Sequence, residues 1–236
     1  PQAAEIIRMT FGPSARILCG VKSVLAPLLE SPELPEYVDE LARMLARERQ
    51  RREKFYDELT EDGSFEFING QVVMHSPAKH KHNDTVKNLL RLLTTYVELG
   101  GLGVAVSEKA LCVFPRNDYE PDIVFFGRKK AQTITGDTLK YPIPDFIVEV
   151  LSESTAKNDR GVKFRDYAAH GVGEYWIVDP DAGTVEKFVL QGARYSKARP
   201  KNSGVIASEV VAGFRIPVRA IFDGKANFAA LRRMLK

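Results

Sequence analysis

Asp145-Phe146-Ile147-Val148-Glu149-Val150-Leu151 reads as a buried strand with a carboxylate near its centre. A charge inside an apolar strand is costly unless something compensates it. Glu120-Pro121-Asp122-Ile123-Val124-Phe125-Phe126 repeats the arrangement with Asp122, and a helical segment after the first run carries Asp159, Lys163 and Tyr167 at i, i+4, i+8. One Asp, one Glu and one Lys can therefore converge. Carboxylates at two adjacent strand ends suit a hard cation, and a nearby ammonium neutralises charge building on a phosphate.

Working upstream, residues 82–99 are expected to form a helix with Val86, Leu89, Leu90, Leu93 and Val97 on one face, stopped by Gly100-Gly101. Before it, Asn69-Gly70 sits between the β-prone runs Phe65-Glu66-Phe67-Ile68 and Gln71-Val72-Val73-Met74, the pattern of a type I′ hairpin. Residues 1–58 read as a helical extension in which Leu34, Val38, Leu41 and Leu45 form an apolar stripe, followed by the charged run 46–54. That stripe is expected to pack on the body of the protein or on a second copy.

Downstream, strands are expected at 103–106, 110–114, 122–126 and 146–151, then one helix over 156–169 and a strand at 174–178. A hairpin over 184–195 and a late edge strand at 213–218 complete the pattern, since Pro217 cannot donate to a ladder. The order helix, strands, helix, strand makes this an α/β chain with a mixed α+β sheet, the main domain spanning 59–236.

Composition excludes more than it selects. The 236 residues carry a net charge of +3, too little to argue nucleic-acid binding alone, although 47–54, 128–130 and 194–201 are local basic clusters. Cys19 and Cys112 form no CxxC, so neither a disulfide framework nor a thiolate site is indicated and a reducing cytoplasm is expected. No signal peptide or membrane span is legible. Gly100-Gly101-Leu102-Gly103 follows a helix instead of opening one, and no phosphate loop or nucleophile elbow is present.

The hairpin, Ser76-Pro77 with His82, Glu120-Pro121-Asp122, Ile147 to Ser152, Asp159 with Lys163 and Tyr167, and Gly171 to Pro180 together resemble the Uma2 family of the PD-(D/E)XK endonucleases, abundant in cyanobacteria. The resemblance covers about residues 56–224. It implies a restriction endonuclease-like core and a DNA substrate, with Asp122 and Glu149 binding Mg²⁺ (or Mn²⁺) and Lys163 assisting phosphodiester hydrolysis. A homodimer is expected, with residues 34–45 as candidate contact. The superfamily's usual lysine position holds Leu151 here, so the cation must come from elsewhere.

Lys163 can supply it. Glu149 lies about 7–10 Å below the end of its strand, and Lys163 lies about 10–12 Å into the following helix. Helix side chains lean toward the N-terminus, which returns Lys163 to Glu149 and Asp122. Asp159, one turn earlier, is expected nearer the mouth of the cleft, orienting Lys163 or a water, and Lys157 is the competitor. Burial is expected to let the lysine act as a base if it lowers its pKa.

The residues alone leave other readings open. Asp122 could fix a turn after Pro121, and Glu149 with Lys163 could be a structural ion pair. Glu66 could supply another ligand, hold Lys163 or simply face outward, and His82 could meet a phosphate at a helix N-terminus or be an ordinary histidine. The alternative to cleavage is a nuclease-like protein that only binds nucleic acid or assembles as a structural oligomer.

Overall fold

The computed structural model describes residues 25–60 and 63–236. The first part of the expected N-terminal extension, with Cys19, lies outside the described residues. The chain divides into two compact units, Pro1–Asp57 and Glu58–Lys236. In the first, α1 (Leu34–Asp57) is a single helix.

The second unit opens with the hairpin β1 (Phe65–Ile68) and β2 (Gln71–Met74), in which Ile68 pairs with Gln71. Asn69 and Gly70 take φ of 50° and 80°, the two left-handed residues that a type I′ turn requires. Helix α2 (His80–Leu99) follows and buries Val86, Leu89, Leu92, Leu93 and Val97. Next come β3 (Gly103–Ser107), β4 (Leu111–Val113), β5 (Asp118–Tyr119) and β6 (Ile123–Gly127). A short α3 (Arg128–Ala131), β7 (Lys140–Tyr141) and β8 (Phe146–Val150) lead to the helical region.

That region differs from the single helix expected over 156–169. It is α4 (Ala156–Asn158), a π turn (Asp159–Lys163) and α5 (Phe164–Ala169). A π turn shifts hydrogen bonding to i→i+5 and is frequent at functional sites, and this one holds both Asp159 and Lys163. The chain continues through β9 (Glu174–Asp179), β10 (Thr184–Gln191), β11 (Arg194–Tyr195), β12 (Val205–Ala207) and β13 (Arg215–Pro217) to α6 (Arg219–Phe222) and α7 (Gly224–Met234).

The strands form a six-stranded sheet in the order β11-β10-β9-β8-β6-β3, a five-stranded sheet β2-β1-β5-β4-β7 and the pair β12-β13. In the larger sheet β8 runs parallel to β9 and antiparallel to β6. Its two faces bury different partners. Phe146, Val148 and Val150 pack in one core with α2, β13 and α6, whereas Ile147 belongs to a second core with Tyr167, Val172 and Cys112. Alternation along the strand puts Glu149 on the Ile147 face, under the π turn and α5.

Candidate metal and catalytic centre

Glu149 is 3% exposed, and its compensation comes from named neighbours. Its Oε1 accepts hydrogen bonds from Lys163 Nζ at 3.0 Å and from the Tyr167 hydroxyl at 2.9 Å. Oε2 meets only the Asp122 N–H, at a long 3.4 Å. Asp122 stands just before β6, where β6 begins beside the end of β8, and its Oδ2 accepts the Val150 N–H at 2.6 Å. Its Oδ1 lies 3.2 Å from His82 Nε2 in the first turn of α2. Two adjacent strands and one helix thus fix two carboxylates against each other.

Lys163 is equally enclosed. Its Nζ lies 2.8 Å from Glu66 Oε1, 3.0 Å from Glu149 Oε1 and 3.5 Å from Asp159 Oδ1. Glu66 sits on β1, accepts the Glu120 N–H at 3.0 Å and faces His75 Nε2 at 3.5 Å. It therefore holds Lys163, one of the roles the sequence left open. Lys157, the competitor, is exposed.

The electrostatics follow from burial and these partners. Burial raises the pKa of Glu149 well above the carboxylate range, against the pull of Lys163. Asp159 is raised for the same reason. Burial alone would lower Lys163, but Glu149, Glu66 and Asp159 outweigh it and raise the ammonium well above its ordinary value. The condition on which a basic lysine was expected, a lowered pKa, is therefore not met, and the ammonium form of Lys163 is favoured. Burial raises Glu66, but Lys163 and His75 reverse that and leave it lowered. Burial likewise disfavours the charged ring of His82, and Asp122 more than offsets it, so His82 is raised.

Asp159 departs from its expected place. It is 1% exposed, not nearer the cleft mouth, because the π turn carries it under the sheet beside Lys163. Among the described residues neither of its carboxylate oxygens has a hydrogen-bond partner, and the contact of Oδ1 with Lys163 Nζ is a long 3.5 Å.

His82, Asp122, Glu149 and Lys163 line a cleft of about 1030 Å³, with Lys79, Lys81 and Lys109 among the residues around it, whereas Asp159 and Glu66 lie behind its lining. His75, Ser64 and Glu120 also line it, and sequence reasoning did not single them out as site residues. Ser64 Oγ donates to Glu120 Oε2 at 2.5 Å. Their only sequence signal is proximity to the hairpin and to Asp122; what unites them is the packing of β1 against β5, which pairs Phe67 with Asp118.

The donor set fits a small hard cation. Glu149 Oε2 and the Asp122 carboxylate are oxygen donors, and Glu149 Oε2 has the weakest protein contact of the four oxygens. Among the described residues no group of three or more His, Cys, Asp or Glu could hold a metal by itself. Mg²⁺ takes few carboxylate ligands and keeps several waters, so a pair of carboxylates suits it.

A family model, Uma2, described as "Putative restriction endonuclease", matches residues 52–219. An uncharacterized protein of Synechocystis sp. is 29% identical over 155 residues, which are 65% of this chain and 81% of that protein. The crystal structure of a "putative nuclease belonging to DUF820" from Anabaena variabilis superposes with a TM-score of 0.62 at 18% identity, covering 72% of this chain and 96% of that one. At that identity the likeness is one of fold: the mixed α+β architecture is that of the Anabaena structure. No helix among the described residues is long and apolar enough to cross a membrane.

Proposed function

The chain belongs to the Uma2 family, and from that membership we propose that it is a Mg²⁺- or Mn²⁺-dependent endonuclease that hydrolyses phosphodiester bonds of DNA, working as a homodimer in the cytoplasm. The observation that supports this most is the convergence of Asp122, Glu149 and Lys163 on one cleft floor. Asp122 and Glu149 would hold the metal. When bound there, a divalent cation supplies an acidified water and charge stabilisation at the phosphoryl oxygens.

The protein's own groups do the rest. Lys163, kept protonated by its three carboxylates, places a positive charge beside Glu149 where the scissile phosphate would sit. Tyr167 and Lys163 both bind Glu149 Oε1, which leaves Oε2 turned to the metal position. His82, bonded to Asp122, orients that carboxylate and adds a donor near the start of α2. Lys79, Lys81 and Lys109 give the cleft cations suited to a phosphate backbone. Asp159 and Glu66 position Lys163 from behind.

Incubation of the protein with supercoiled plasmid and Mg²⁺ or Mn²⁺ tests the proposal. Nicked or linear product is expected, abolished by EDTA and by Glu149→Ala. Cleavage of RNA but not plasmid would reassign the substrate. Intact plasmid and RNA under every metal would favour the non-cleaving alternative.

A further inference from the structure

Among the described residues, helix α1 carries an exposed apolar face: Tyr37, Val38, Leu41, Met44 and Leu45 are 43–54% exposed. The spacing follows a heptad, with Leu34 and Leu41 at a, Tyr37 and Met44 at d, and Val38 and Leu45 at e. The g positions along the same edge are Glu33, Glu40, Arg47 and Lys54, acidic in the first half of the helix and basic in the second. We propose that this face is the contact between two copies of the chain, paired as antiparallel helices across Tyr37 to Leu45.

Direction and register follow from the charges. In an antiparallel pair a packs against d, and g meets g. Setting Leu41 against the second copy's Met44 places Val38 beside Leu45 and Tyr37 beside Glu48, and brings Glu40 beside Arg47 of the second copy. Two-fold symmetry repeats each contact. A parallel pair in register instead sets Glu40 against Leu45 and Arg47 against Arg52, losing the attraction and adding a repulsion. The helix therefore complements itself in one direction only. The face from Tyr37 to Leu45 is about 13.5 Å long, nine residues at 1.5 Å each. A contact of that size falls below the roughly 1,200 Å² of standard interfaces, so a reversible dimer is expected, with a dissociation constant on the order of tens of micromolar.

Sedimentation equilibrium of the full chain from about 1 to 300 μM, a span chosen to bracket that constant, tests the assignment. A concentration-dependent dimer is expected. Leu41→Arg should raise the dissociation constant at least about tenfold, with the far-ultraviolet circular dichroism unchanged because Leu41 is exposed. Glu40→Arg and Arg47→Glu should each weaken the dimer several-fold, and the double variant should restore it, since exchanging both charges keeps every pair opposite in sign. A protein that stays monomeric throughout, a dimer indifferent to Leu41→Arg, or a double variant weaker than either single one would overturn the proposal.

Discussion

Replacing Lys163 by methionine removes the one ammonium that three buried carboxylates share while keeping most of the side-chain volume. Glu66, Glu149 and Asp159 are each at most 3% exposed, so none can turn to bulk water without moving the sheet or the π turn. Breaking a buried ion pair from one side costs about 3–5 kcal/mol. In a domain of this size each kcal/mol lowers Tm by about 2–4 °C, so the fall should be about 6–20 °C. The cost should also depend on pH. Glu149 and Asp159 already have folded pKa values above their unfolded ones, so both take up protons on folding and stability falls as pH rises through that window. Without Lys163 the shifts grow. Lys163→Met should therefore be more destabilised at pH 8 than at pH 5, measured by differential scanning calorimetry of the metal-free protein. A Tm change under about 2 °C, or an equal change at the two pH values, would refute the view that Lys163 is the compensating charge.

Other substitutions probe separate parts of the account. Glu174 accepts from Trp176 Nε1, Ser208 Oγ and the Glu209 and Val210 N–H groups, and only Val210 N–H has a second acceptor, Ser208 Oγ, so Glu174→Ala orphans three donors and should cost about 3–5 kcal/mol in urea unfolding. His75 has a raised pKa through the Glu66 carboxylate 3.5 Å away; its contribution is complete below the unfolded value of about 6.5 and disappears as pH rises through the folded one. Wild type and His75→Gln should accordingly differ in stability at pH 5.5 and converge by pH 9. Gly161 lies in the π turn with open space where a Cβ would be, so Gly161→Ala should be neutral or stabilise by up to about 1 kcal/mol. Deleting Gly161 should instead tighten the turn to α, swing Lys163 away by about 100° and reproduce the Tm loss of Lys163→Met.

The sequence was most legible where one local rule sufficed. Asn69-Gly70 announces its turn because few residues other than Gly and Asn accept two successive positive φ angles, and Val86, Leu89, Leu93 and Val97 announce α2 by their period. Glu149 stood out because it interrupts an otherwise apolar run. The strands Asp118–Tyr119 and Lys140–Tyr141 were illegible: two residues hold no period, and partners distant in sequence impose the extended form. The π turn left no pattern either, since Asp159 and Lys163 at i, i+4 read equally well as an ordinary helix. Depth arithmetic brought Lys163 to Glu149, yet the sequence could not choose among the roles open to Glu66, of which holding Lys163 was one, because that contact depends on where β1 docks. The sign of the lysine's pKa shift was likewise unreadable. Burial and ion pairing oppose one another, and only the count of carboxylates around Nζ decides.

The central claim is that Asp122 and Glu149 together hold a divalent cation above the fixed charge of Lys163. Isothermal titration of Mn²⁺ into the metal-free protein, repeated with Asp122→Asn, tests it most directly. The account predicts one site per chain in the wild type and an affinity at least about tenfold weaker in Asp122→Asn. Equal Mn²⁺ affinity in the two proteins would contradict it.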